Sequence, residues 1–88
     1  MENQKNVVMY GTPFCSYCGA AKMLLTKKKV DFEFILLSEE PGLAEDIERR
    51  SGRHTVPQIF VNDESIGGFD ELYALEQNGG LDVLLAGE

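Results

Sequence analysis

Eighty-eight residues leave room for one domain, and a chain of that size hides only about 60% of its unfolded surface, so its core must be small. A hydrophobic content of 43% with 26% charged residues fits a globular chain rather than a disordered one, and no apolar run approaches the 18 or so residues of a membrane span. Fifteen acidic against eight basic residues give a net charge of −7, which argues against a nucleic-acid binder, since that would carry a basic face.

Met1 to Asn6 has no apolar stretch ahead of Val7, so no secretory signal is expected and a cytoplasmic protein is. With no repeat, low-complexity tract or linker, residues 1–88 are expected to form a single domain. Acid collects at Glu39, Glu40, Glu45, Asp46 and Glu48, and base at Lys22, Lys27, Lys28 and Lys29 and again at Arg49, Arg50, Arg53 and His54. Such runs are read first as solvated faces.

Asn6 to Tyr10 holds Val7, Val8 and Met9 in a continuous apolar run, the mark of a strand covered on both faces. Gly11-Thr12-Pro13 then turns the chain. From Ser16 to Lys29 the spacing of Ala20, Ala21, Leu24 and Leu25 predicts a helix, with three lysines at the negative end of its dipole. Phe32 to Leu37 reads as a second strand. Pro41 to Arg50 reads as a second helix, with Ser38 or Glu39 near its start and Gly52 just past its end. Gln58 to Asn62 is a third strand, Asn62-Asp63-Glu64-Ser65 a hairpin turn, and Ser65 to Gly67 a short fourth strand. Asp70 to Gln77 forms a third helix and Leu81 to Leu85 a short last one.

This β-α-β-α-β-β-α order, with its short C-terminal helix, makes an α/β protein. The opening βαβ unit gives parallel strands and the hairpin an antiparallel pair. The expected product is a four-stranded mixed sheet flanked by helices.

Both cysteines lie in Cys15-Ser16-Tyr17-Cys18, where a βα turn opens a helix. Zinc needs about four ligands, and beyond this pair the single histidine is His54, so metal binding by one chain lacks donors. As a structural disulfide the pair would restrict the unfolded chain by only about 2 kcal/mol, in a reducing compartment. A catalytic dithiol explains the position. At the cap of the helix, Cys15 would face the unpaired N–H groups of Tyr17 and Cys18, which favour a thiolate. Cys18, one turn inside and less exposed, could attack a mixed disulfide on Cys15.

Four segments together carry a family likeness: Cys15-Ser16-Tyr17-Cys18, Thr55-Val56-Pro57-Gln58-Ile59-Phe60, Gly67-Gly68-Phe69-Asp70, and Leu72-Tyr73-Ala74-Leu75 through Gly79-Gly80-Leu81. The chain resembles a glutaredoxin of the dithiol class from about Val7 to Leu85. The monothiol class has Cys-Gly-Phe-Ser at the centre, and thioredoxin proper has Trp before the pair where this chain has Phe14. The resemblance implies a thioredoxin-like fold and a glutathione-dependent thiol–disulfide oxidoreductase, with Cys15 as nucleophile and Cys18 as resolving thiol. It implies glutathione as co-substrate and glutathionylated or disulfide-containing proteins, ribonucleotide reductase among them, as partners of a monomer. An alternative is a [2Fe–2S] carrier in which the cluster joins two protomers through Cys15 of each and two glutathione thiolates. Ser16, where many dithiol relatives have proline, restores a backbone N–H and frees φ for such an assembly.

The glutathione site that the resemblance implies comprises Thr12, Tyr17, Thr55, Val56, Pro57, Gly68, Phe69 and Asp70. Only about 5–6% of X–Pro bonds are cis, yet the resemblance implies a cis Val56–Pro57 bond, turning the Val56 N–H and C=O toward an extended tripeptide. The alternative is a trans proline that starts a strand. Gly67-Gly68 reads as a turn and Asp70 as an N-cap. Alternatively, the Phe69 and Asp70 amides would hold the γ-glutamyl carboxylate and the Asp70 side chain its ammonium. Tyr17 either packs on the tripeptide or covers Cys18. Two positions depart from the family: Thr12 stands where many members have lysine, and Ala44 where many have Arg or Gln for the glycine carboxylate. These losses predict weaker glutathione affinity or a less readily ionised Cys15, unless Arg49, Arg53 or His54 compensates through space.

Overall fold

The computed structural model describes residues 6–86. In chain order it contains β1 (Val7–Gly11), α1 (Ser16–Lys27), β2 (Glu33–Leu36), a 3-10 turn (Leu37–Glu39), α2 (Leu43–Ser51), β3 (Gln58–Val61), β4 (Glu64–Gly67), α3 (Phe69–Gln77) and α4 (Gly80–Ala86). The strands form one sheet in the order β2-β1-β3-β4. β1 runs parallel to β2, with Val8 opposite Glu33 and Gly11 opposite Leu36. β3 is antiparallel to both β1 and β4. The expected mixed α/β sheet is therefore observed.

Period-two alternation sorts the strand residues between two layers. Val7 and Met9 of β1 and Ile59 and Val61 of β3 join Ala21 and Leu25 of α1, Leu72 of α3, and Leu81 and Leu85 of α4 in one buried cluster. Phe60 and Tyr10 have the opposite parity. They meet edge to face, with ring centroids 5.6 Å apart, and the Arg50 guanidinium of α2 lies 4.6 Å from the Phe60 ring. α1 and α3 thus cover one face and α2 part of the other. Lys28, just past α1, reaches Glu76 and Asp82, each at 2.9 Å, and ties α1 to α3 and α4.

Several boundaries differ from those expected, each for a local reason. The first helix stops at Lys27 rather than Lys29. Lys29 takes φ 61, Val30 N–H donates to Leu25 C=O at 2.9 Å and Lys29 N–H to Thr26 C=O at 2.9 Å, which is a Schellman ending with lysine where glycine is usual. β2 is shorter than Phe32–Leu37 because Leu37 enters the 3-10 turn. Neither Ser38 nor Glu39 caps α2. The cap is Gly42 at φ 83, with no side-chain hydrogen bond, and the helix begins at Leu43 rather than Pro41. Gly52, at φ 76, ends it as expected. In the hairpin, Asn62 and Asp63 both have positive φ, 52 and 69, as a two-residue loop matching the sheet's twist requires, so β4 starts at Glu64. The expectation for residues 1–5 lies outside the described residues.

Candidate functional site

Cys15 stands at the N-cap of α1 with extended backbone, φ −127 and ψ 109, and its Sγ accepts the Cys18 N–H at 3.1 Å. The residue is half-buried and its thiol is free. Among the described residues the single amide donor to it is Cys18; Tyr17 N–H, the other expected donor, makes no such bond. The Cys15 sulfur therefore sits at the positive end of the α1 dipole.

Cys18 is the opposite case. One turn into α1, it is 2% exposed. Burial pushes its thiol from 9.0 up to about 11, and the hydrogen bond with Cys15 pushes the same way. A backbone hydrogen bond with Thr12 acts against these, favouring the thiolate. Thr12 therefore stands against Cys18. Gly11 leaves room beneath, since a Cβ there would lie 2.5 Å from Cys18 Sγ. The Cys15 sulfur is partly accessible and accepts one amide, while the Cys18 sulfur is sealed and neutral.

A groove of ≈ 310 Å³, which Tyr17 joins to the thiol helix, is lined by Tyr17, Arg53, Thr55, Val56, Pro57, Gly68, Phe69, Asp70 and Glu71, with neither cysteine among the lining residues. Seven of the eight non-cysteine candidates thus converge, and Thr12 is not among the lining residues. The Val56–Pro57 bond is cis. Val56 lies outside every strand, and its backbone has no hydrogen-bond partner among the described residues. Gln58, 1% exposed, anchors Thr55, the residue before Val56, by donating from Nε2 to Thr55 C=O at 2.9 Å. Its Oε1 has no hydrogen-bond partner among the described residues. The Tyr17 ring stacks on Phe69 at 6.0 Å and Phe69 on Tyr73 at 5.8 Å, forming an aromatic wall from the thiol helix to α3. Tyr17 is 61% exposed, so it serves the groove wall and does not bury itself over Cys18.

The start of α3 corrects one expectation. Gly68, not Asp70, is the N-cap, and Asp70 sits in the first turn. Glu71 Oε1 accepts the Gly68 N–H at 2.9 Å while its Oε2 accepts Arg53 Nη1 at 2.9 Å. The Gly68 amide comes first, and the Arg53 guanidinium second, in holding the Glu71 carboxyl below its ordinary range. Gly68 therefore supplies space rather than a donor: a Cβ there would approach Pro57 O to 3.0 Å. Sequence reasoning missed Glu71, although a glutamate three residues after a helix cap is the capping-box spacing. The sequence marks Gln58 only as part of a strand, although a polar residue at a buried strand position must serve a hydrogen bond. Arg53 also lines a small cleft of ≈ 70 Å³ shared with Ala44, His54 and Thr55, so a cation adjoins the position where Ala44 lacks one.

Among the described residues no group of three or more His, Cys, Asp or Glu is placed to hold a metal ion, and no helix is long and apolar enough to cross a membrane.

Comparison with known proteins finds a family model, Glutaredoxin, matching residues 7–66. Glutaredoxin 3 of Escherichia coli K12 is 48% identical over 80 residues, covering 91% of this chain and 96% of the relative. Among solved structures, the solution structure of a glutaredoxin from Brucella melitensis superposes with a TM-score of 0.84 at 45% identity, over 98% of this chain and 95% of that one. A crystal structure of a buckwheat glutaredoxin–glutathione complex does so with a TM-score of 0.85 at 26% identity, over 94% and 78%. The mixed sheet with its flanking helices is the thioredoxin-like architecture of these neighbours.

Proposed function

Because the chain belongs to the glutaredoxin family of thiol–disulfide oxidoreductases, we propose that it uses glutathione as co-substrate, with Cys15 as nucleophile and Cys18 as resolving thiol. The observation that carries this reading is the pairing of an accessible, amide-supported Cys15 sulfur with a groove bordered by the unpaired Val56 backbone. An extended peptide satisfies such a backbone through main-chain hydrogen bonds. The first-turn amides of Phe69 and Asp70 suit the γ-glutamyl carboxylate and the Asp70 carboxylate its ammonium. Arg53 is the cation for the glycine carboxylate, in place of side chains missing at Thr12 and Ala44.

The Cys15 thiolate attacks the glutathione sulfur of a protein–glutathione disulfide. The S–S bond breaks, the protein leaves as a thiolate that takes up a proton, and Cys15 carries glutathione. A second glutathione thiolate attacks that sulfur, releasing oxidised glutathione and the Cys15 thiolate. On a protein disulfide, Cys18 gives up its proton and attacks Cys15 of the mixed disulfide. The second protein thiol is released, and two glutathione molecules reopen the Cys15–Cys18 bond. The buried, neutral Cys18 makes the first cycle the faster one at neutral pH. The reaction suits a monomer in the cytoplasm, where the glutathione pool supplies electrons. Its partners are glutathionylated or disulfide-containing proteins, among which ribonucleotide reductase is the one implied by the family likeness.

A [2Fe–2S] cluster needs four thiolates, and this chain presents one accessible sulfur. The residues of a single chain do not complete it; Cys15 of two protomers with two glutathione thiolates would supply the four.

Glutathione-disulfide exchange assayed for Cys15→Ser and Cys18→Ser tests the reading. Cys15→Ser should abolish turnover and Cys18→Ser retain it. Turnover surviving without Cys15 would refute the assignment.

A further inference from the structure

The face of the sheet opposite α1 and α3 is only half covered. α2 packs over β4 and against the 3-10 turn, which leaves the β1–β2 half as a second groove of ≈ 750 Å³, within the size range of ligand sites. Tyr10, Pro13, Ile35 and Leu43 give it an apolar floor, and Glu33, Glu39 and Glu40 an acidic rim. None of these three carboxylates has an ion-pair partner among the described residues. β2 is an edge strand: β1 pairs with one side, and no strand among the described residues pairs with the other. An open edge of this kind is a template for an added extended segment. Pro13 links the groove to the thiol, standing two residues before Cys15, and the Phe14 between them is 99% exposed.

We propose that this groove docks an extended, lysine- or arginine-bearing segment of the protein whose disulfide is exchanged at Cys15. Three unpaired carboxylates select a cationic partner, the apolar floor takes the side chains between its charges, and the open β2 edge takes its backbone. The inference rests on the oxidoreductase reading above and adds a preference for basic protein substrates that a small disulfide would not reveal.

The test compares kcat/KM for three substrates: glutathionylated cysteine, a short peptide with lysines flanking a glutathionylated cysteine, and its counterpart with glutamates. The parent should favour the lysine peptide about eightfold, a factor of about two for each exposed charge contact. The preference should lie in the Michaelis constant and fade with added salt. Combining Glu33→Gln, Glu39→Gln and Glu40→Gln should bring the peptides near parity and leave glutathionylated cysteine unchanged. Combining Glu45→Gln, Glu48→Gln and Glu64→Gln, the same change in net charge placed elsewhere, should keep the preference.

Parity in the parent, or a preference lost equally in both triple variants, would overturn the docking site. Failure of the parent on glutathionylated cysteine would instead overturn the glutathione reading. A binding measurement keeps the groove testable in that event. A lysine peptide with serine in place of cysteine should shift the amide resonances of Glu33 to Leu36 and Leu43, and shifts confined to Tyr17, Val56 and Asp70 would overturn the proposal. The same shifts on raising protein concentration alone would make the occupant a second copy and overturn it equally.

Discussion

Replacing Cys18 by serine should change how stability responds to alkaline pH, and the structure sets the size of the change. In the unfolded chain the thiol ionises at its ordinary 9.0, whereas burial in the fold raises it to about 11. Below pH 9 both states hold the proton and pH has no effect through this group. Between about 9 and 11 the unfolded chain has released a proton that the folded chain keeps, so stability falls as pH rises, by about 1.4 kcal/mol per unit. The total is about 2–3 kcal/mol, complete above the folded value. Cys18→Ser keeps the shape but removes the ionisation. Denaturant unfolding of both reduced proteins from neutral pH to about pH 11 measures it, and the titrating groups that do not touch Cys18 cancel in the difference. The parent should lose about 2–3 kcal/mol more than the variant across that window. Parallel curves would refute the argument that Cys18 is held as a buried neutral thiol. The same burial predicts that closure of the Cys15–Cys18 bond from a mixed disulfide speeds up about tenfold per pH unit toward alkaline pH, because the thiolate is the attacking species.

Glu71→Gln should lower stability by about 1 kcal/mol, and hence Tm by about 4–8 °C, by removing the charge that joins Gly68 and Arg53. Because folding depresses the Glu71 carboxyl, that contribution is present above about pH 4.5 and disappears as pH falls through the folded value, so the melting curves should converge in acid. Gly11→Ala places a Cβ 2.5 Å from Cys18 Sγ and should cost about 1–3 kcal/mol by overpacking, read from the denaturation midpoint. Thr12→Lys adds the cation missing at that position and should lower the Michaelis constant for glutathione by a factor of about two to five, the worth of one partly exposed charge contact.

Much of this fold is legible in the sequence because local and tertiary preferences agree. Val7 and Met9 read correctly as core residues of a strand, although Val8 and Tyr10 on its other face are only partly covered rather than buried as the continuous apolar run suggests. Asn62-Asp63 accept the positive φ of a tight hairpin. Cys15 falls at a helix start because a strand and a Pro13 turn precede it. The misplaced boundaries are those where one residue accepts an uncommon backbone. Lys29 adopts the left-handed ending that glycine usually provides, and Gly42 starts a helix with no side-chain cap to announce it. In the site, Cys15 and Cys18 and the groove residues Tyr17, Thr55 to Pro57 and Gly68 to Asp70 are readable from their motifs. Their division of labour is not. That Gly68 contributes space while its amide is taken by Glu71 depends on a side chain reaching back three residues and on Arg53 arriving from before β3. That Gln58 secures Thr55 depends on which way a buried amide turns. The Thr12 backbone reaches Cys18 across the turn between β1 and α1, a relation that no local pattern carries.

Acid-quenching the parent during turnover of a glutathionylated protein, followed by peptide mapping, tests most directly the claim that the partly accessible sulfur carries the exchange while its neighbour stays sealed. The expected intermediate has glutathione on Cys15 and a free thiol at Cys18. Glutathione found on Cys18, with Cys15 free, would contradict it.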